Sequence, residues 1–391
     1  MNGYLLQQFL NGLQLGSIYA LIALGYSMVY GIIKLINFAH ADIFMVGAYI
    51  AFFVTAFSLG SSVALPWELW IWISLIAGYL LFIIMSERIR PVRGFLDAID
   101  ASVNLRTDWH ARWALPAAKS LIQIAGIAVL SAVSYPVLYF GTHLVFSVKW
   151  GAWYLPVVCA YVMAMCALLG IAMERIAYRP LRHKPRLSAL ITALGISLFL
   201  ENFCSLDMVF SNRYRAFPQL IAKSEWLRLD SAGIIVTNIF FINCIVLSVM
   251  LAGLWFLVEK TLIGKQMRAV SYDKKAAALM GIDVDRVIAT TFAIGPALAG
   301  VSGILYAMNY GILQSPFLGF FPGLKAFIAA VLGGIGSLPG AVIGALIMGI
   351  TEVFANSVDS NLGFAAAFVI LIVILLIKPT GIWGKSENEK V

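Results

Sequence analysis

Charge is what this chain has least of. Only 12% of its 391 residues are Asp, Glu, Lys or Arg, against about 25% in soluble domains. Mean hydropathy is +0.92. That deficit excludes a water-soluble globule: several apolar runs reach about 20 residues, enough to cross a hydrocarbon core of about 30 Å. Cysteine is scarce too. Cys159, Cys166, Cys204 and Cys244 all fall in apolar runs without paired spacing, which argues against a disulfide framework or a metal site. No Lys or Arg precedes Lys34, so the basic start of a signal peptide is missing and the first apolar segment is expected to stay as a membrane helix. The glycine string GGIGSLPG (333–340) lacks the Gly-Lys-Ser/Thr ending of a phosphate-binding loop. Without a Walker motif or a catalytic triad, the chain is expected to hydrolyse nothing and to carry no catalytic residue and no cofactor. The net charge of +8 is explained by basic cytoplasmic loops rather than by nucleic acid. The fold class is therefore an all-α polytopic membrane protein.

The apolar runs read as spans at 5–33, 43–59, 66–85, 120–147 (interrupted by Pro136), 152–173, 187–210, 233–258, 287–311, 322–353 and 362–377. The first is rich in small residues, including Gly12 and Gly16, which let membrane helices approach backbone to backbone. Between the first two spans, Lys34, Asn37, His40 and Asp42 crowd a short turn. Polar groups at such a place either cap two helix ends or serve a transport path or gate. Glu201 has the same two readings. Residues 86–119 are basic and read as an amphipathic helix on the cytoplasmic surface. Gly295 and Pro296 are expected to break or kink their span, because proline removes a backbone donor. In 322–353, two helical halves of about 13 residues, about 20 Å each, flank Gly333, Gly334 and Gly336. Such a segment is either a re-entrant hairpin or broken helix lining a path, or plain helix-turn packing.

The polar stretch 259–303 stands apart. Lys260, Lys265, Arg268, Lys274, Lys275 and Arg286 lie within it. Tyr272 to Gly281 reads as a short helix, with Ala276 and Ala277 as good helix formers and Gly281 as the stop. Two readings are open: a helix that docks into a groove on a partner, or an ordinary solvated loop. With this loop and 174–186 placed inside, alternation puts the N-terminus outside and the C-terminus in the cytoplasm. Of the 27 Lys and Arg, all but Lys149, Arg213, Arg215, Lys223, Arg228 and Lys325 then fall inside, as the positive-inside rule requires. The four basic residues in 211–232 face the wrong way for that rule.

Four separated blocks carry a resemblance: GSIYALIALGYSMVYGIIKLINFAHADIFMVGAY (16–49), ERIAYRPLR (174–182), AAALMGIDVDRVIATTFAIG (276–295) and KAFIAAVLGGIGSLPGAVIG (325–344), with the ending KPTGIWG. Together they resemble the permease subunit of branched-chain amino acid ABC transporters of the LivH type, over most of the chain and in family order. The resemblance implies half of an importer's translocation pathway in the cell inner membrane. It also implies a second permease subunit, expected to be a paralogue, two ATP-binding cassette ATPase subunits inside, a substrate-binding protein outside, and surrounding lipid. ABC importers carry a cytoplasmic Glu-Ala-Ala-x-x-x-Gly pattern that docks on the ATPase. Here it reads Lys275-Ala276-Ala277-Ala278-Leu279-Met280-Gly281, with lysine in place of glutamate. The resemblance thus assigns Lys274, Lys275, Ala276, Ala277 and Gly281 to ATPase coupling. Near His40, relatives often have glycine where Ala41 stands, and Asp42 fits the pattern.

The chain is longer than usual for that family, and the excess lies at roughly 66–150. It reads as two extra spans around the basic segment, added to about eight family segments within a single transmembrane domain. Urea, amides or other amino acids are alternative substrates. A stand-alone ion-coupled transporter or channel is the alternative of another class. That alternative needs ionisable residues deep in the spans, and only Glu201, Asp207 and Glu352 come near.

Overall fold

The computed structural model describes residues 2–35, 37–58, 74–82, 123–136, 138, 141–142, 145–146, 153–182, 184–207, 209–229, 233–313 and 318–384. The chain divides into two compact units, 57–150 and the remainder. In the 57–150 unit, an apolar helix at 74–82 lies against a second at Gln123–Pro136. Ser134 Oγ donates to the Ser74 carbonyl at 3.2 Å. The basic segment 86–119 lies outside the described residues, as do the ends of the spans read at 66–85 and 120–147.

The larger unit is built from helices α1 (Asn2–Ile33), α2 (His40–Ser58), α3 (Tyr154–Met173), α4 (Arg186–Ser205), α5 (Asn238–Lys260), α6 (Leu262–Tyr272), α7 (Lys274–Leu279), α8 (Val284–Tyr310), α9 (Phe320–Gly333), α10 (Leu338–Val358) and α11 (Leu362–Ile377). Among the described residues, seven helices are long and apolar enough to cross a membrane: α1 to α5, α8 and α10. The chain is an all-α polytopic membrane protein.

Helix α1 is the central post, packed on α8, α9 and α10. Its small residues explain how. A Cβ on Gly12 would lie 2.6 Å from Ile350 Cα, and one on Gly16 would lie 2.8 Å from Leu346 Cα. Glycine lets α1 and α10 meet backbone to backbone where lipid offers no hydrophobic drive to association. Gly47 and Gly300 do the same for α2 and α8, with 2.5 Å left for a Cβ on Gly47.

Three expectations need correction. First, Gly295-Pro296 does not break its span; α8 runs unbroken from Val284 to Tyr310 with Pro296 inside. Proline deprives the Phe292 carbonyl of its usual donor, and here Gly170 of α3 fits tightly against that carbonyl and the Pro296 ring. Neighbouring packing thus holds the helix together. Second, the two halves of 322–353 are unequal. Helix α9 has 14 residues but α10 has 21, about 31 Å at 1.5 Å per residue. The hairpin joins one short helix to one full-length helix. Third, 211–232, which reads from the sequence as a polar loop, holds strand structure, and the span read from 233 starts as a strand before its helix begins at Asn238. β2 (Glu225–Leu229) and β3 (Ile234–Thr237) form an antiparallel hairpin. β1 (Arg215–Ala216) pairs with β4 (Ile312–Leu313) just past α8.

Candidate transport site and coupling loop

The turn between α1 and α2 is where the predicted path residues converge. Lys34 takes φ +60, and the chain doubles back after α1 ends. His40, the first residue of α2, then sits against Gly25, where a Cβ would collide with its imidazole. Eight residues, about 12 Å of helix, separate Gly25 from the end of α1. Helix α2 therefore starts well inside the bundle rather than at its edge. Asn37, His40 and Asp42 are all buried. Tyr178, from the ERIAYRPLR block, donates to Asn37 Oδ1 at 2.7 Å. The Tyr26 ring lies 4.7 Å from that of His40. Gly295 of α8 completes the wall: a Cβ there would lie 3.7 Å from His40 Cε1 and 3.1 Å from Val29.

A second helix start meets the first here. Gly319, which precedes α9, approaches so closely that a Cβ would lie 3.0 Å from both Asp42 Cα and Asp42 Oδ1. Gly323 presses on Ala41: a Cβ on Gly323 would lie 2.1 Å from the Ala41 Cβ, so not even a methyl fits there. The positive ends of the α2 and α9 dipoles thus face the Asp42 carboxylate, a favourable arrangement for an anion. Ser197 of α4 donates to Asp42 Oδ2 at 2.5 Å. Glu201, one turn further along α4, is also buried. The sequence reading singled out Glu201 but missed Ser197, though the two stand four apart and so share a helix face.

Gly333, Gly334 and Gly336 do not join this cluster. They form the α9–α10 turn, with φ +104 at Gly334 and +94 at Gly336. Those values favour residues without a Cβ. Gly333 touches Gly340 across the hairpin, and Gly336 lies beside Gly31, further along α1. The ending KPTGIWG closes over them: Ile382 N–H donates to the Leu332 carbonyl and Trp383 N–H to that of Gly333, both at 2.9 Å.

Sequence reading also missed a buried ion pair. Lys325 had been counted among outward-facing basic residues and Glu352 placed near a span end. Lys325 Nζ lies 2.5 Å from Glu352 Oε1, and Tyr19 donates to the other oxygen at 2.9 Å. The triad ties α9, α10 and α1. A lone lysine inside an apolar helix was the available signal, since such a charge must find a partner.

The polar loop folds as two helices. The helix expected at 272–281 covers only Lys274–Leu279, because Asp273 adopts extended backbone and caps the amides of Lys275 and Ala276. Ahead of it, α6 buries Gly264, Met267 and Val270. Gly281, at φ +82, ends the segment as Ile282 N–H bonds back to the Ala277 carbonyl. Lys274 Nζ donates to the Ile33 carbonyl at 3.1 Å, at the end of α1. Arg179 and Arg182 both bind Asp285 at the start of α8, and Arg182 also binds the buried Glu174. Tyr272, at the end of α6, and Leu279 and Met280, at the end of α7, remain 82%, 89% and 83% exposed.

Comparison with known proteins assigns the chain. Residues 8–86 and 119–378 match the family described as branched-chain amino acid transport system / permease component. The unmatched stretch, 87–118, lies inside the region read as excess. The high-affinity branched-chain amino acid transport system permease protein LivH of Escherichia coli (strain K12) is 34% identical over 391 residues, covering 99% of this chain and 98% of that one. BraD of Pseudomonas aeruginosa, named in the same words, is 33% identical over 388 residues with the same coverage. A probable LivH of Methanocaldococcus jannaschii is 27% identical over 244 residues, 58% of this chain and 75% of that one. No solved structure matches. The shared blocks and near-complete alignment lead to one conclusion: this chain belongs to the branched-chain amino acid transport system permease family.

Proposed function

We propose that this chain forms half of the translocation pathway of an ATP-driven importer for leucine, isoleucine and valine. The substrate class comes from the names of its relatives. A second permease subunit completes the pathway, two ATP-binding cassette subunits dock on the cytoplasmic loop, and a binding protein delivers substrate outside. The chain itself is non-catalytic. It is a multi-pass protein of the inner membrane with its N-terminus outside and C-terminus inside.

The observation that carries this reading is the exposure of Tyr272, at the end of α6, and of Leu279 and Met280, at the end of α7, the helix bonded to α1 through Lys274. An apolar patch on a cytoplasmic loop marks a protein interaction site, here contributed by the Lys274, Lys275, Ala276, Ala277 and Gly281 segment. Movement of a docked ATPase would reach α1 through Lys274 and α8 through the chain itself, which enters that helix at its Asp283 cap. Both helices wall the Asn37, His40 and Asp42 cluster, so a two-state shift there alternates access to the two sides. Gly295 and Pro296 sit on α8, and Gly333, Gly334 and Gly336 form the α9–α10 turn beside Gly31 of α1.

The buried Asp42 and Glu352 favour one second reading, an ion-coupled transporter that works alone. Affinity purification from the native host separates the two. The expected result is an ATPase pair and a second permease with wild-type chain, with the ATPase lost in Leu279→Asp. That variant alters an exposed side chain and leaves the fold intact. A chain that purifies alone and transports leucine into ATP-free vesicles would overturn the importer reading.

A further inference from the structure

We infer that the N-terminal end of α1 carries a transit site for a zwitterionic aliphatic amino acid, with Lys223 and Asn11 taking its carboxylate. The inference rests on the importer reading and adds a site to it. A cavity of about 240 Å³ opens between the start of α1, the end of α8 and the β2–β3 hairpin. Its lining mixes two chemistries: Gln7, Asn11, Gln14, Lys223, Thr237 and Asn309 are polar, and Leu10, Ile239 and Phe240 are apolar. The volume suits a ligand smaller than the drug-sized molecules that fill pockets of about 300–1,000 Å³. An aliphatic amino acid calls for both kinds of lining, with two charged groups at one end and a hydrocarbon at the other.

The polar side has capacity to spare. Lys223 Nζ donates to the Asn309 carbonyl at 2.9 Å and forms no ion pair among the described residues, so its other protons face the cavity or water. It is one of the four basic residues that violate the positive-inside pattern. Two of the others have structural partners: Arg215 lies 5.3 Å over the Phe53 ring and Arg228 is paired with Glu225. Asn11 accepts from Gln7 at 3.0 Å, which leaves its N–H groups available. Gln14 donates to Asn309, leaving its carbonyl for an ammonium group. A second cavity of about 210 Å³ is also lined by Asn11, Gln14 and Asn309, together with Ile18 and Val353. The bonded Gln14–Asn309 pair therefore lines both cavities.

The test places a cysteine in the wall as Leu10→Cys, in the assembled transporter, and labels it from outside with a membrane-impermeant maleimide. The parent chain corrects for labelling of Cys244. L-Leucine is expected to slow labelling, and leucinamide, which lacks the carboxylate, is not. Adding Lys223→Gln is expected to weaken protection by leucine about tenfold, the loss of one charge-assisted hydrogen bond. Equal protection by both compounds, or by neither, in a transporter with intact leucine uptake overturns the inference. Protection by the binding protein without free amino acid also overturns it and gives the cavity to protein docking. Protection by leucine in a complex that does not take up leucine leaves the site standing and overturns the importer reading instead.

Discussion

Removing one member of the Lys325–Glu352 pair is expected to cost far more than removing both. Both side chains are largely buried, and among the described residues the 2.5 Å contact is joined by the Tyr19 hydroxyl and by the Phe364 ring, 5.7 Å from Lys325 Nζ. Glu352→Leu strands an ammonium with no carboxylate, and breaking a buried pair this way costs about 3–5 kcal/mol. Lys325→Met is expected to be milder, because Tyr19 still donates to the carboxylate left behind. The double variant removes both charges and should recover most of the loss, since an apolar replacement of a buried pair is often close to neutral. An unfolding entropy of about 2.1 cal/mol/K per residue gives roughly 0.8 kcal/mol/K for this chain, so Glu352→Leu should lower Tm by about 4–6 °C. The assay is thermal unfolding in detergent, followed by loss of the monodisperse species, as a double-mutant cycle. Single variants that simply add, with no recovery in the double, would refute the claim that the two charges hold each other inside the bundle.

Gly16→Leu should destabilise by about 1–3 kcal/mol or more through overpacking against α10. Gly195→Leu, on a face with no heavy atom within 4 Å, should be silent; equal yields of folded protein from both would contradict the α1–α10 contact. Arg182→Gln should lose about 3 kcal/mol because Glu174 is only 2% exposed. Arg179→Gln should lose under about 1 kcal/mol, because Arg179 and Asp285 are 37% and 52% exposed; denaturant midpoints of the two variants decide the order.

The spans were legible because length and apolarity are local properties. Most runs read from the sequence correspond to helices within a few residues. The polar residues between α1 and α2 were legible as a cluster, because Asn37, His40 and Asp42 are close in the chain. Their depth was not legible. It depends on α1 being 32 residues long and on the chain doubling back along it, and no window of sequence carries that. Pro296 illustrates the opposite error. Its local chemistry argued for a break or a kink, and the helix runs unbroken where Gly170 packs on the Phe292 carbonyl. The wrong-side Lys223 read as a flaw in the topology count until the fold placed it on a cavity wall.

Composition alone made this chain a membrane protein, since so little charge and so many apolar runs leave no soluble alternative. Four sequence blocks then placed it in a permease family. Which residues meet was decided by the tertiary structure. Glycine contacts set the helix separations, and those separations carried Asp42 to Ser197, Lys325 to Glu352 and Lys274 to the end of α1. Such pairings join residues up to 241 positions apart. Hydropathy and periodicity report only the chain's immediate neighbourhood, whereas partner choice for a buried charge is settled by which helices pack side by side.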